Sequence, residues 1–216
     1  MKNLKRFAVA AVIALLTVAI AAFALVGCGI SGENYTFEAE DAELGGDAKM
    51  EEGKHMWSGD LAEPGEELTQ VGYMTSEGSS ITFTVKAEKA CKVEITVRAA
   101  SATMHNGLFG GDGTFSVSEI DLATQKAFTL SVNGEELALS GKLPSSYSVT
   151  AEEFDWSQMG ALFDSPLCNY VDIKVVAKLK SGENKIVIES TGYTEDEVAY
   201  GANFDKIIIK SPAKLS

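Results

Sequence analysis

The stretch VDIKVVAKLKSGENKIVIES, residues 171–190, decides the fold class. Val171, Ile173, Val175, Ala177 and Leu179 alternate with Asp172, Lys174, Val176 and Lys178. Side chains of an extended strand point to opposite faces in turn, so this spacing buries one face and wets the other. Ser181-Gly182-Glu183-Asn184 then supplies turn chemistry, and Ile186 with Ile188 resumes the rhythm. The whole stretch reads as strand, turn, strand, in the manner of a hairpin.

The same alternation recurs on both sides. Tyr35, Phe37 and Ala39 alternate with Thr36, Glu38 and Glu40, which predicts one strand through all six. Ile81, Phe83 and Val85 follow, then Val93, Ile95, Val97 and Ala99, then Phe128, Leu130 and Val132, and finally Ile207 and Ile209. Asn133-Gly134 is a type I′ hairpin signal. No convincing amphipathic helix interrupts the series after the N-terminal segment. The expected class is all-β, a sandwich of antiparallel strands. Residues 101–127 and 140–168 break the pattern and read as long loops, which in a compact domain tend to be functional or disordered.

The N-terminus predicts export. Lys2, Lys5 and Arg6 precede an uncharged apolar run from residue 7 to 26, and then comes Leu25-Val26-Gly27-Cys28. A basic head, an apolar stretch and small residues before a cleavage point describe a secretory signal. LVGC resembles the bacterial lipobox, which implies lipidation of Cys28 and a signal peptide over residues 1–27. An uncleaved transmembrane anchor is the alternative, because about twenty apolar residues can span a bilayer. Either reading expects an extracytoplasmic protein held at the bacterial cell membrane, with 28–34 as tether and 35–212 as the sandwich.

Loss of residues 1–27 removes three basic residues and no acids, so 18 Lys+Arg become 15 against 31 Asp+Glu, and the formal charge of −13 becomes −16. Such a surface is expected to repel nucleic acid and anionic lipid. Cys91 and Cys168 remain, as a disulfide or as two buried thiols.

Enzyme signatures are mostly absent: no HExxH, no GxSxG and no P-loop, with only His55 and His105 among histidines; the abundant acids leave a glycosidase-type carboxylate pair open without singling one out. The acids of Phe37-Glu38-Ala39-Glu40-Asp41 are the densest chemical constellation. On one strand, Glu38 and Glu40 would share a face about 7 Å apart. An exposed edge tolerates that pair; a buried one demands a hard cation.

The ordered set of blocks resembles carbohydrate-binding modules of families 6 and 35. YTFEAEDAEL at 35–44 is similar to their opening strand, and VGYM at 71–74 with SSITFTV at 79–85 to their second block. KVEITVRAAS at 92–101, FTLSVNG at 128–134, LKSGENKIVIES at 179–190 and ANFDKIIIK at 202–210 complete the series. The resemblance implies a jelly-roll sandwich and a structural calcium held by Glu38, Glu40 and Asp205. It implies a poly- or oligosaccharide ligand at one end, with Tyr73 stacking on a sugar ring and Asn203 bonding hydroxyls. The second stacking aromatic of the family is missing at its usual register, where Leu167-Cys168 stands. Trp156, Trp57 and Tyr193 are the candidates to replace it. The expected function is non-catalytic carbohydrate binding by a lipid-anchored protein. The alternative is a structural or protein-interaction module of the cell envelope on the same sandwich.

Overall fold

A computed structural model describes residues 30–54, 67–105, 114–117, 119–144, 148–150 and 169–216. The signal segment, Cys28, Trp57, Trp156 and Cys168 lie outside the described residues.

The chain opens with β1 (Glu33–Glu38), β2 (Glu43–Gly45), β3 (Lys49–Lys54), β4 (Glu67–Met74), β5 (Ser80–Ala87) and β6 (Cys91–Ser101). Short strands follow as β7 (Met104–His105), β8 (Thr114–Val117) and β9 (Ile120–Asp121), then β10 (Phe128–Val132), β11 (Glu135–Leu137), β12 (Lys142–Leu143) and β13 (Ser148–Thr150). The long strands β14 (Val171–Leu179) and β15 (Gly182–Ser190), the pair β16 (Thr194–Glu195) and β17 (Val198–Ala199), and β18 (Ala202–Ser211) complete it. One sheet runs β14-β6-β18-β4-β3 with β1 also paired to β18, and the other runs β11-β10-β15-β5-β2. The pairings within both sheets are antiparallel. The expected all-β sandwich is present.

The alternating residues do what their spacing dictates. Ile95, Val97, Ile207 and Ile209 from one sheet and Ile81, Leu130, Ile186 and Ile188 from the other are all fully buried in one core. Phe204 and Phe128 meet edge to face across the sheets, with ring centroids 5.0 Å apart. Ala213 and Leu215 are buried too, so the compact unit Gly32–Ser216 extends past the expected boundary at 212. Among the described residues no helix is long and apolar enough to cross a membrane.

Three expectations are corrected. β14 and β15 do not form a hairpin; they lie in different sheets, pairing with β6 and with β5 and β10. Residues 180–184 therefore turn a corner between layers. Asn184, fully buried, shapes it: its Nδ2 donates to the carbonyls of Lys180 and Gly182 at 3.0 and 2.9 Å, and its Oδ1 accepts from Lys180 N–H at 2.9 Å. Asn133-Gly134 does close a hairpin, between β10 and β11, with φ of 53° and 83° as a type I′ turn requires. Second, the opening strand stops at Glu38. A 3-10 turn over Ala39–Asp41 follows, so Glu40 leaves the strand and does not share a strand face with Glu38. Third, the stretches read as loops contain strands that pair with each other, β8 with β7 and β13, and β9 with β12. Ile120, Leu122 and Leu143 from these stretches enter the core. Cys91 is a free thiol whose Sγ lies 3.6 Å from Ser211 Oγ.

Candidate functional site

Two places gather the expected site residues. The first is a rim where β3, β4 and β18 end. Tyr73 is 56% exposed and sits in left-handed backbone at φ 61°. A bulky residue there costs on the order of 1–3 kcal/mol, and such strain clusters at functional sites. Lys49 Nζ lies 5.0 Å from the Tyr73 ring centroid, a cation–π contact.

Beside Tyr73, the ladder sets Lys49 opposite Gly72 and Glu51 opposite Gln70. Gln70, fully buried, donates to Glu51 Oε2 at 3.0 Å and accepts from the Tyr170 hydroxyl. A Cβ on Gly72 would stand 2.1 Å from Glu51 Oε2 and 3.1 Å from Asn203 Oδ1. Gly72 is thus the floor over which a carboxylate and an amide converge. Burial pushes the Glu51 carboxyl above the usual range, against the opposing effect of the Gln70 bond. Asn203 is only 6% exposed, so its amide lies beneath the rim rather than on it. Tyr193 packs on the core and meets Tyr200 edge to face at 5.4 Å.

Asn203 thus lies against Gly72, the residue next to Tyr73, while Tyr193 is partly buried against the core. Glu51 was missed. One acid among 31 carries no signal by itself. Gly72 inside a strand was the available sign, because a strand glycine marks close approach. Gly72→Ala should push the end of the Glu51 side chain aside and lower stability by about 1 kcal/mol, the low end of overpacking, because the displaced group is flexible and half-buried; a thermal melt checks it.

The second place joins the chain ends. β1 pairs with β18 so that Glu38 faces Lys206. The register of β18 against β6 shifts between Phe204 and Lys206, making Asp205 the extra residue of a bulge. A bulge re-aims side chains, and here Asp205 and Lys206 meet Glu38. Lys206 Nζ is 3.0 Å from Glu38 and 3.4 Å from Asp205, and Arg98 reaches Asp205 at 3.9 Å while gripping Asp172 at 3.0 Å. Burial raises the Asp205 carboxyl, with Lys206 and Arg98 opposing. Burial also raises Glu40, and the charges of Glu38, Asp205 and Asp41 add to it. Glu40 Oε2 is buried with no hydrogen-bond partner among the described residues.

That orphan oxygen is the test for a cation. As they stand, no three acidic, histidine or cysteine side chains among the described residues converge as metal ligands, and an ammonium lies between Glu38 and Asp205. The donor chemistry nevertheless fits a hard ion: all oxygen, underneutralised and partly desolvated.

Fold and rim together define a β-sandwich protein with an aromatic-topped polar site at one end. The solved structures similar to it include carbohydrate-binding modules, and also enzyme chains that it covers only in part, such as 28% of a family 26 mannanase chain from Podospora anserina. A family 35 module from Clostridium thermocellum matches at TM-score 0.46 and 17% identity, covering 82% of this chain and 98% of that one. The family 35 module of Abf62 from Cellvibrio japonicus matches at 0.45 and 12%, covering 85% and 96%. The C-terminal family 6 module of a marine laminarinase from Zobellia galactanivorans matches at 0.42 and 17%, covering 82% and 99%. No protein-family model matches the chain. No curated protein matches it either.

Proposed function

We propose that this chain is a non-catalytic carbohydrate-binding lipoprotein, anchored through Cys28 on the extracytoplasmic face of a bacterial membrane. One observation carries the sugar-binding reading: an exposed tyrosine held in strained backbone beside a half-buried carboxylate and a buried amide. Sugars offer C–H faces to aromatic rings and hydroxyls to such polar groups. Tyr73 would stack, Glu51 would accept hydroxyl hydrogens, and Asn203 would hold Glu51 in place or meet a hydroxyl directly. The sequence blocks of families 6 and 35 support the same reading. A glycan array probed with the full chain, with and without calcium, tests it. Binding to a poly- or oligosaccharide is expected; a blank array across plant and microbial glycans favours the protein-interaction alternative instead. Cys28→Ser should shift the protein from the membrane fraction to the soluble one, and unchanged fractionation would point to a transmembrane anchor.

Calcium is the proposed structural ion, held by Glu38, Glu40 and Asp205. When bound it would neutralise the acids that join the first and last strands. A ligand at 100 times its Kd adds about 2.7 kcal/mol to stability. For a domain of this size that is a Tm rise of roughly 5–10 °C. The pH dependence has a definite sign. Glu40 and Asp205 have folded pKa values above their ordinary ones. Without the ion, their contribution favours the fold at low pH and is lost as pH rises through those raised values. With calcium present the carboxylates must be ionised, so the calcium-dependent increment disappears as pH falls through the same range. Melting curves with EGTA and with excess calcium, across a pH series, check both slopes.

A further inference from the structure

The charges of this chain are segregated, and its net charge hides the fact. Six lysines, Lys89, Lys92, Lys178, Lys180, Lys210 and Lys214, gather at one pole of the sandwich. The ladder sets Lys178 directly opposite Lys92 and Lys210 opposite Glu94. Lys89 and Lys180 flank the Cys91–Leu179 pair, and the Lys214 carbonyl accepts from Glu88 N–H at 3.1 Å. Five of the six are exposed and Lys210 is half-buried. Among the described residues none of them forms an ion pair. Glu33, Glu88, Glu94 and Glu183 lie among them, Lys86 and Lys185 stand opposite and beyond Glu183, and Glu135 sits at the adjoining β10–β11 turn. With eight lysines against five glutamates the side chains of the pole are net positive, while the rest of residues 30–216 carries 7 basic against 26 acidic side chains.

Like charges directly opposite on paired strands destabilise a sheet. The Lys92–Lys178 pair is such a contact, and nothing in the packing requires it, because both side chains face solvent. A negatively charged surface against this pole would relieve the repulsion.

The position of the pole says which surface. The described chain enters here, with Glu33 opposite Ser211 and Asn34 opposite Lys210. Cys28 precedes Glu33 by only five residues, a reach of at most roughly 18 Å. The Tyr73 rim is at the other end: β6 runs from Cys91 at the pole to Ser101, which pairs with Ala202 beside the rim. At ~3.3 Å per residue the two ends are about 33 Å apart.

We infer that the lysine pole rests on anionic phospholipid headgroups, so that the short tether and the charge together point the rim away from the membrane. The inference rests on the reading of Cys28 as the lipidated residue. Basic side chains are attracted to an anionic leaflet within about one Debye length, ~8 Å at physiological salt. The acidic remainder of the domain is repelled by the same field, which adds to the orientation.

The test uses the full lipidated chain in two vesicle types, pure phosphatidylcholine and phosphatidylcholine with phosphatidylglycerol. Amines are acylated briefly with a water-soluble reagent, and each lysine is read by mass spectrometry. Labelling of the six pole lysines should fall several-fold in the anionic vesicles. Lys126 and Lys142 should be unaffected, and 0.5 M salt should abolish the difference. Equal labelling in both vesicle types, or protection spread over all lysines, would overturn the orientation while leaving the anchor standing. Protection already complete on phosphatidylcholine would overturn the role of charge. A chain that stays out of the vesicles altogether would overturn the anchor, and the orientation with it. The double variant Lys92→Gln, Lys178→Gln should fold, since it removes a repulsive exposed pair, and should lose most of the protection at the remaining four positions.

Discussion

Asn184→Ala should lower the stability of the folded chain by about 3 kcal/mol, at roughly 1 kcal/mol for each of its main hydrogen bonds. The side chain is fully buried and ties three segments together. It closes the 180–184 corner on itself through Lys180 and Gly182. Its Oδ1 also accepts from Asn133 Nδ2 at 2.8 Å, linking the corner to the β10–β11 hairpin turn. Removal leaves buried carbonyls and an amide without partners, which costs more than the bonds' net worth in isolation. Asn184→Asp should be no milder, because it keeps the acceptors but sets a carboxylate against the carbonyls of Lys180 and Gly182. The expected readout is a fall in the urea midpoint at unchanged m-value. A midpoint within experimental scatter of the wild type would mean the corner is held by packing alone.

Tyr73→Gly should separate stability from binding. Glycine adopts a φ of 61° freely, so the strain of the left-handed tyrosine is released. The greater entropy of glycine in the unfolded chain offsets part of that gain, about 0.4–1 kcal/mol. The melting temperature should therefore stay level or rise. Loss of the ring would remove the proposed aromatic anchor, and such truncations commonly cost about 2 kcal/mol, roughly 30-fold in Kd. A residue kept only for the fold would show the opposite pattern, with stability lost and binding kept.

The period-two runs were legible because burial imposes them residue by residue. Val171 to Leu179 and Val93 to Ala99 needed nothing beyond alternation. Which sheet each strand joins was not legible. From β4 to β18 the long strands alternate between layers, and the SGEN corner uses the same turn chemistry as a hairpin. The difference lies in Asn184, whose partners Asn133 and Val85 are far along the chain. The acids of the first strand were legible as a group. Their geometry was not, because the 3-10 turn at Ala39–Asp41 interrupts an alternation that continues in the sequence. Lys206 joins them only through the bulge at Asp205, which no local pattern announces. Net charge misled in a similar way: it gave the sign of the whole and concealed a lysine pole beside the tether.

Affinity electrophoresis probes the proposed sugar-binding role of the Tyr73 rim most directly. Wild-type and Tyr73→Ala proteins are run in native gels cast with separate neutral polysaccharides. The wild type should be retarded in at least one gel, and the variant should migrate there as it does without polysaccharide. No retardation in any gel, or the same retardation for both proteins, would mean that the exposed strained ring is not where this molecule meets a glycan.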